Sequence, residues 1–148
     1  MQSSRRAAWA DSFGRPSEGL GQVIRDLPKG HEARRDLARM IREIRAGDGI
    51  VKNKGLPENV FAEFIPIGDA TVFRYRPGQL RIVDFLEEQV HWSQISRGLH
   101  TKYSVSTLEI MAKQRVLMHP EITPVLRMEW LDDISRVRAG RYGTGGIK

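Results

Sequence analysis

The chain has no cysteine. That excludes a disulfide framework, a thiolate zinc site and a cysteine nucleophile. It also has no apolar run near the roughly 20 residues that a membrane helix needs. Met1 to Asp11 carries Arg5 and Arg6 but no apolar stretch behind them, so it does not read as a secretory signal. Aromatic residues are few, at 7%, and the apolar fraction of 40% allows only a modest core.

Familiar chemical motifs are missing as well. The histidines are His31, His91, His100 and His119. None pairs with another, or with a carboxylate, at metal-ligand spacing, and no H-E-x-x-H occurs. His91, between Val90 and Trp92, reads as the edge of an amphipathic helix. Glu87-Glu88 and Asp132-Asp133 are neighbours on helices, so their side chains are expected to diverge rather than form catalytic pairs. Gly143-Thr-Gly-Gly146 lacks the strand and helix of a phosphate loop. The expectation is therefore no metal, no cofactor and no catalytic residue.

What is present is arginine: 18 Arg against 6 Lys, with a formal net charge of +6. Guanidinium groups suit phosphate and carboxylate, so an anionic partner is implied. Arg35, Arg39 and Arg42 recur at helical spacing and form a basic ridge. Arg74 and Arg76 share one face of a strand. With Ser106 and Lys113 these are the candidate anion or nucleic-acid contacts.

Residues 1–30 are punctuated by glycine and proline and read as an irregular arm. Trp9 and Phe13, four apart, are its candidate partner anchors. A helical domain follows over 31–140. The helical period predicts a helix over His31–Ala46, stopped by Gly47-Asp48-Gly49. Two β-rich runs around Gly68-Asp69 predict a hairpin at about 59–76. Further helices are expected over about 79–91, over Trp92–Leu99, from a capping box at Ser106-Thr107-Leu108-Glu109, and from Thr123-Pro124 to Gly140. A Gly-rich tail, 141–148, closes the chain. The fold class is mainly α (α+β): four to five helices with one β-hairpin and extended tails. The predicted core is Leu37, Ile41, Ile44, Phe64, Phe73, Leu80, Val83, Leu86, Leu108, Met111, Val125, Trp130 and Ile134.

Two functions fit these features. The first is a non-enzymatic structural subunit of a large assembly, such as a virion connector, capsid or tail component, or a ribonucleoprotein. Its tails and Arg-rich surfaces would bind neighbouring subunits, in the virion or the cytoplasm. The alternative is a basic, helix-turn-helix-like protein that binds DNA or RNA, with Ser106 and Lys113 facing a groove. A small nuclease lacks a positive motif.

Overall fold

The computed structural model describes residues 19–67 and 69–140. Trp9, Phe13 and the tail 141–148 lie outside them. Helix α1 (Glu32–Ala46) forms as the period predicts. His31 caps it, its Nδ1 accepting the Ala33 N–H at 3.0 Å. Ala33, Met40 and Ile44 are buried, with Leu37 and Ile41 packed beside them. The turn after α1 requires glycine at position 49. A Cβ there would sit 2.7 Å from the Ile44 carbonyl oxygen and would strike the Ile44 side chain.

That turn leads into a strand the sequence did not suggest, β1 (Ile50–Lys52). Three residues are too few to show a period. The expected hairpin follows as β2 (Ala62–Ile67) and β3 (Ala70–Tyr75). The sheet order is β1-β3-β2, with β1 parallel and β2 antiparallel to the central β3. Phe64 lies opposite Phe73 and stacks on it at 4.6 Å, and Trp92 stacks on Phe64 at 5.9 Å. The inner face of the sheet thus rests on the next helix.

Helix α2 runs without interruption from Ile82 to Ser96. Separate helices over 79–91 and Trp92–Leu99 were expected, but nothing between Val90 and Ser96 breaks the backbone ladder. The first breaker is Gly98, at φ +72°. Helix α3 spans Val105–Leu117. Its cap is Ser104, whose hydroxyl accepts the Thr107 N–H at 3.2 Å. Ser106 lies inside the helix, so the capping box expected there is not formed. Helix α4 (Pro124–Arg138) starts as predicted, with the Thr123 hydroxyl accepting the Leu126 N–H at 3.3 Å.

Residues 19–27 belong to this domain rather than to an irregular arm. The Ile24 N–H donates to the Leu80 carbonyl and the Ile82 N–H to the Gln22 carbonyl, both at 2.9 Å. Leu20, Ile24 and Leu27 are buried. Most of the predicted core is inside. Met111 is not: it is 39% exposed. The inner face of α3 carries Leu108, Glu109, Ala112, Lys113 and Val116 instead. Among the described residues, no helix is long and apolar enough to cross a membrane.

Candidate metal centre

The interior between α2, α3 and α4 is charged. Asp84, Glu87, Glu88 and His91 of α2, Glu109 and Lys113 of α3, and Glu129 and Asp133 of α4 are all buried. A buried charge costs several kcal/mol unless it is paired and hydrogen-bonded. The partners divide this set into two groups with different degrees of satisfaction.

The first group is closed. Arg81, 1% exposed, precedes α2. Its guanidinium donates to Asp84 through Nε at 2.9 Å and Nη2 at 3.0 Å. It donates to Glu129 through Nη2 at 2.9 Å and Nη1 at 3.2 Å. The Arg81 backbone N–H also reaches Asp84 Oδ2, at 3.1 Å. Its carbon lies 5.6 Å from the centre of the Trp130 ring. Burial opposes the charge, but the two carboxylates outweigh it and hold the pKa of Arg81 above its ordinary value. This fork ties the start of α2 to the middle of α4.

The second group is open. Glu87 Oε1 accepts from Lys113 Nζ at 2.9 Å and from Trp130 Nε1 at 3.0 Å. Lys113 Nζ also lies 3.7 Å from Glu109 Oε2 and 3.8 Å from Asp133 Oδ2. Three carboxylates, Glu87, Glu109 and Asp133, thus surround one ammonium, and Glu88 is buried beside Glu87. Glu87 Oε2, both oxygens of Glu88, both oxygens of Glu109 and His91 Nε2 are buried without a hydrogen-bond partner among the described residues. Buried polar atoms left in this state are rare in folded proteins, and each demands an explanation.

His91 supplies the sharpest constraint. The Gln94 side-chain N–H donates to the Leu108 carbonyl at 3.1 Å. That turns Gln94 Oε1 toward His91 Nδ1, at 2.9 Å. Nδ1 must therefore carry the proton and donate it. Nε2 is left to face Glu87 Oε2 at 3.6 Å and Glu109 Oε2 at 3.9 Å. Carboxylate oxygens facing this ring nitrogen call for a positive charge, carried by the imidazole itself or by a cation held between them. A ring nitrogen fixed by a hydrogen bond on its far side is also the usual arrangement of a metal-bound histidine.

The candidate ligand atoms lie close together. Bonds of about 2.0–2.2 Å to four ligands place neighbouring donor atoms about 3.3–3.6 Å apart. Glu87, Glu88 and His91 each bring a ligand atom within 4.8 Å of the others. Glu87 and His91 are one helical turn apart with Glu88 next to Glu87. That is the i, i+1, i+4 spacing of the zinc-binding H-E-x-x-H helix, with Glu in place of the first histidine. Glu109, from the next helix, brings Oε2 to 3.9 Å from His91 Nε2. Burial and the negative Glu87 push Glu88 well above the ordinary carboxyl range. Burial also raises Glu109. For Glu87, burial acts upward but Lys113 and His91 outweigh it, and its pKa is lowered.

Several expectations from the sequence are corrected here. His91 is fully buried rather than an edge residue, and Glu87 and Glu88 converge with it. Adjacent helical side chains lie about 100° apart, and that arc is narrow enough for both to face one gap between helices. Lys113 is fully buried against Glu87 and cannot face a nucleic-acid groove. Arg74 and Arg76 are engaged within the chain. Arg74 donates to the Gly55 carbonyl at 3.2 Å and pairs with Glu63 at 3.5 Å. Arg76 donates to the carbonyls of Val60, Leu56 and Pro57, each at 3.0 Å. Arg35, Arg39, Arg42 and Ser106 are exposed, as expected. Arg39 pairs with Asp36 at 3.2 Å on the surface.

Comparison with known proteins assigns no relative: no family model matches the chain, and no curated protein or solved structure does.

Proposed function

We propose that this protein is a metal-dependent hydrolase whose centre is held by Glu87, His91 and Glu109, with Glu88 as the proton acceptor. One observation carries the reading. His91 is held with its Nε2 toward carboxylate oxygens that have no hydrogen-bond partner among the described residues. One nitrogen and several carboxylates form a donor set suited to zinc, manganese or iron(II). A divalent ion would also balance the surplus of negative charge around Lys113.

Held by these residues, such an ion would supply Lewis-acid chemistry for hydrolysis. The residues supply the rest. Glu88, with both oxygens uncommitted, stands beside the ligands where it can take the proton of an attacking water. Lys113 holds Glu87 in place, and its ammonium would favour negative charge developing on a substrate. All four centre residues are closed to water here, so turnover requires their cover to open.

The test pairs metal content with activity. Purified protein should hold about one ion per chain. A quenched fluorescent peptide library and a generic ester should then report hydrolysis that a chelator abolishes. Glu88→Gln should keep the ion and lose roughly 100-fold or more of the activity, the scale of a lost general base. A Glu88→Gln protein as active as wild type would defeat the assignment of that residue.

This departs from the non-enzymatic expectation because of the buried cluster, which the sequence did not reveal. The reading as an assembly subunit rests on the irregular N-terminal 30 residues, the Trp9 and Phe13 pair, the Gly-rich C-terminal tail and the Arg-rich surfaces; Trp9, Phe13 and the tail lie outside the described residues.

A further inference from the structure

The metal centre leaves the basic charge of the chain unexplained. A concavity of about 320 Å³ lies where the end of α1 meets β1, and its lining is Arg45, Val51, Lys52, Asn53, Lys54 and Tyr75. None of these residues supplies a ligand to the metal centre. The lining contains three cations, one amide and one phenol, and no carboxylate. Arg45, Lys52 and Lys54 are exposed, and none has an ion-pair partner among the described residues. Three like charges converging on one hollow repel one another, and an anion relieves that repulsion.

The hollow is built in advance. The Gly55 carbonyl is held by Arg74, and the carbonyls of Leu56, Pro57 and Val60 by Arg76. These two arginines fix the loop that carries Lys52, Asn53 and Lys54. Pairing of Lys52 with Arg74 in the sheet register anchors its start. Tyr75 is fixed by stacking on Phe73 at 5.3 Å and turns toward the hollow. Along α1, Arg42 lies one helical turn before Arg45, and Arg39 and Arg35 continue the exposed row.

We infer that this hollow binds phosphate groups of single-stranded nucleic acid, with the row Arg42, Arg39, Arg35 as the path of the backbone leading to it. The occupant follows from the chemistry of the lining. Arg45, Lys52 and Lys54 neutralise phosphate. Asn53 offers a donor and an acceptor to a base edge, and Tyr75 offers an aromatic surface. A membrane would meet a flat basic face, whereas this one is concave. Arg74 and Arg76 act as positioning residues for the loop.

The experiment measures anisotropy of labelled oligothymidylate and oligouridylate with the full chain, from about 20 to about 200 mM NaCl. Wild type should bind, and affinity should fall steeply with salt. The triple change Arg45→Glu, Lys52→Glu and Lys54→Glu should weaken binding at least tenfold. The neutral triple change to Ala should lower the salt slope by about two, because each phosphate contact on a single strand contributes about 0.7. A control with the same charge change, Arg115→Glu, Arg127→Glu and Arg138→Glu, alters exposed positions on α3 and α4. It should weaken binding far less. Equal weakening by the control would overturn the inference, since net charge alone would then explain binding. Absence of binding at the lowest salt would overturn it too, as would binding to phosphatidylserine vesicles but not to either oligonucleotide.

Discussion

Helix α1 and the sheet bury mostly carbon against carbon, with Glu63 of β2 as the charged exception, whereas α2, α3 and α4 bury Glu, His, Lys and Arg against one another. In the first region Met40, Ile44, Phe64 and Phe73 share a core with Leu80 and Phe85. Non-directional packing holds it, and its stability is set by area and fit. In the second, Leu20, Val83, Val116, Leu126 and Trp130 make a smaller apolar cluster beside the ionic groups. There the geometry is directional and each partner matters. Apolar packing needs no functional explanation. A charged interior with uncommitted atoms is hard to account for by stability alone.

The largest effects should come from breaking each region in its own way. Arg81→Met leaves Asp84 and Glu129 buried without their guanidinium, and a loss of about 3–5 kcal/mol is expected from chemical denaturation. Adding Asp84→Leu and Glu129→Leu should recover much of that loss, since an apolar replacement of a whole buried ionic group is often neutral. Phe64→Ala should cost a similar amount, about 3–5 kcal/mol, with no second change able to restore it except refilling the volume. If the Leu changes rescued nothing, the ionic region would not be separable as described.

A second difference appears with pH. Glu88 and Glu109 have raised pKa values in the folded chain. The folded chain therefore keeps protons that the unfolded chain releases near the carboxyl value of 4.5. The stability they contribute is complete below that value and is lost as pH rises through their folded values. Metal-free protein should thus become more stable as pH falls from about 8 toward 5. Glu87, with a lowered pKa, acts oppositely and weakens the fold once pH drops further. Metal-loaded protein should show the reverse slope, because protons compete with the ion for its ligands. Melting curves across pH, with and without chelator, check both. Identical slopes would remove the distinction.

The smallest effect separates two serines. Ser104→Ala should cost about 1 kcal/mol, because it removes the cap of α3. Ser106→Ala, at an exposed helical position, should change stability by less than about 0.5 kcal/mol. Denaturant midpoints of the two variants decide which residue starts the helix.

The same comparison explains what the sequence disclosed. Helix α1 was legible because its apolar residues mark one face and its charges the other. The hairpin and the Thr123-Pro124 start were legible from local chemistry. In α2 and α3 the period of apolar residues misled, because the inner faces also carry Glu87, His91, Glu109 and Lys113. That period assigns Met111 to the core, whereas it is exposed. A usable signal did exist. Glu87 and His91 stand at i, i+4, and so do Glu109 and Lys113 on the following helix. Two such acid–base pairs on helices with weak apolar stripes point to a shared charged interior. Strand β1 carried no such signal, since only its register with Val72, Phe73 and Arg74 defines it.

The most direct measurement is calorimetric titration of chelator-treated protein with zinc and with manganese, beside His91→Ala. The account predicts one ion per chain for wild type, a raised melting temperature on binding, and loss of both in His91→Ala. Wild type that stays folded and binds neither ion would contradict it. Lys113 would then be the only cation of the cluster, and the group would serve the fold alone.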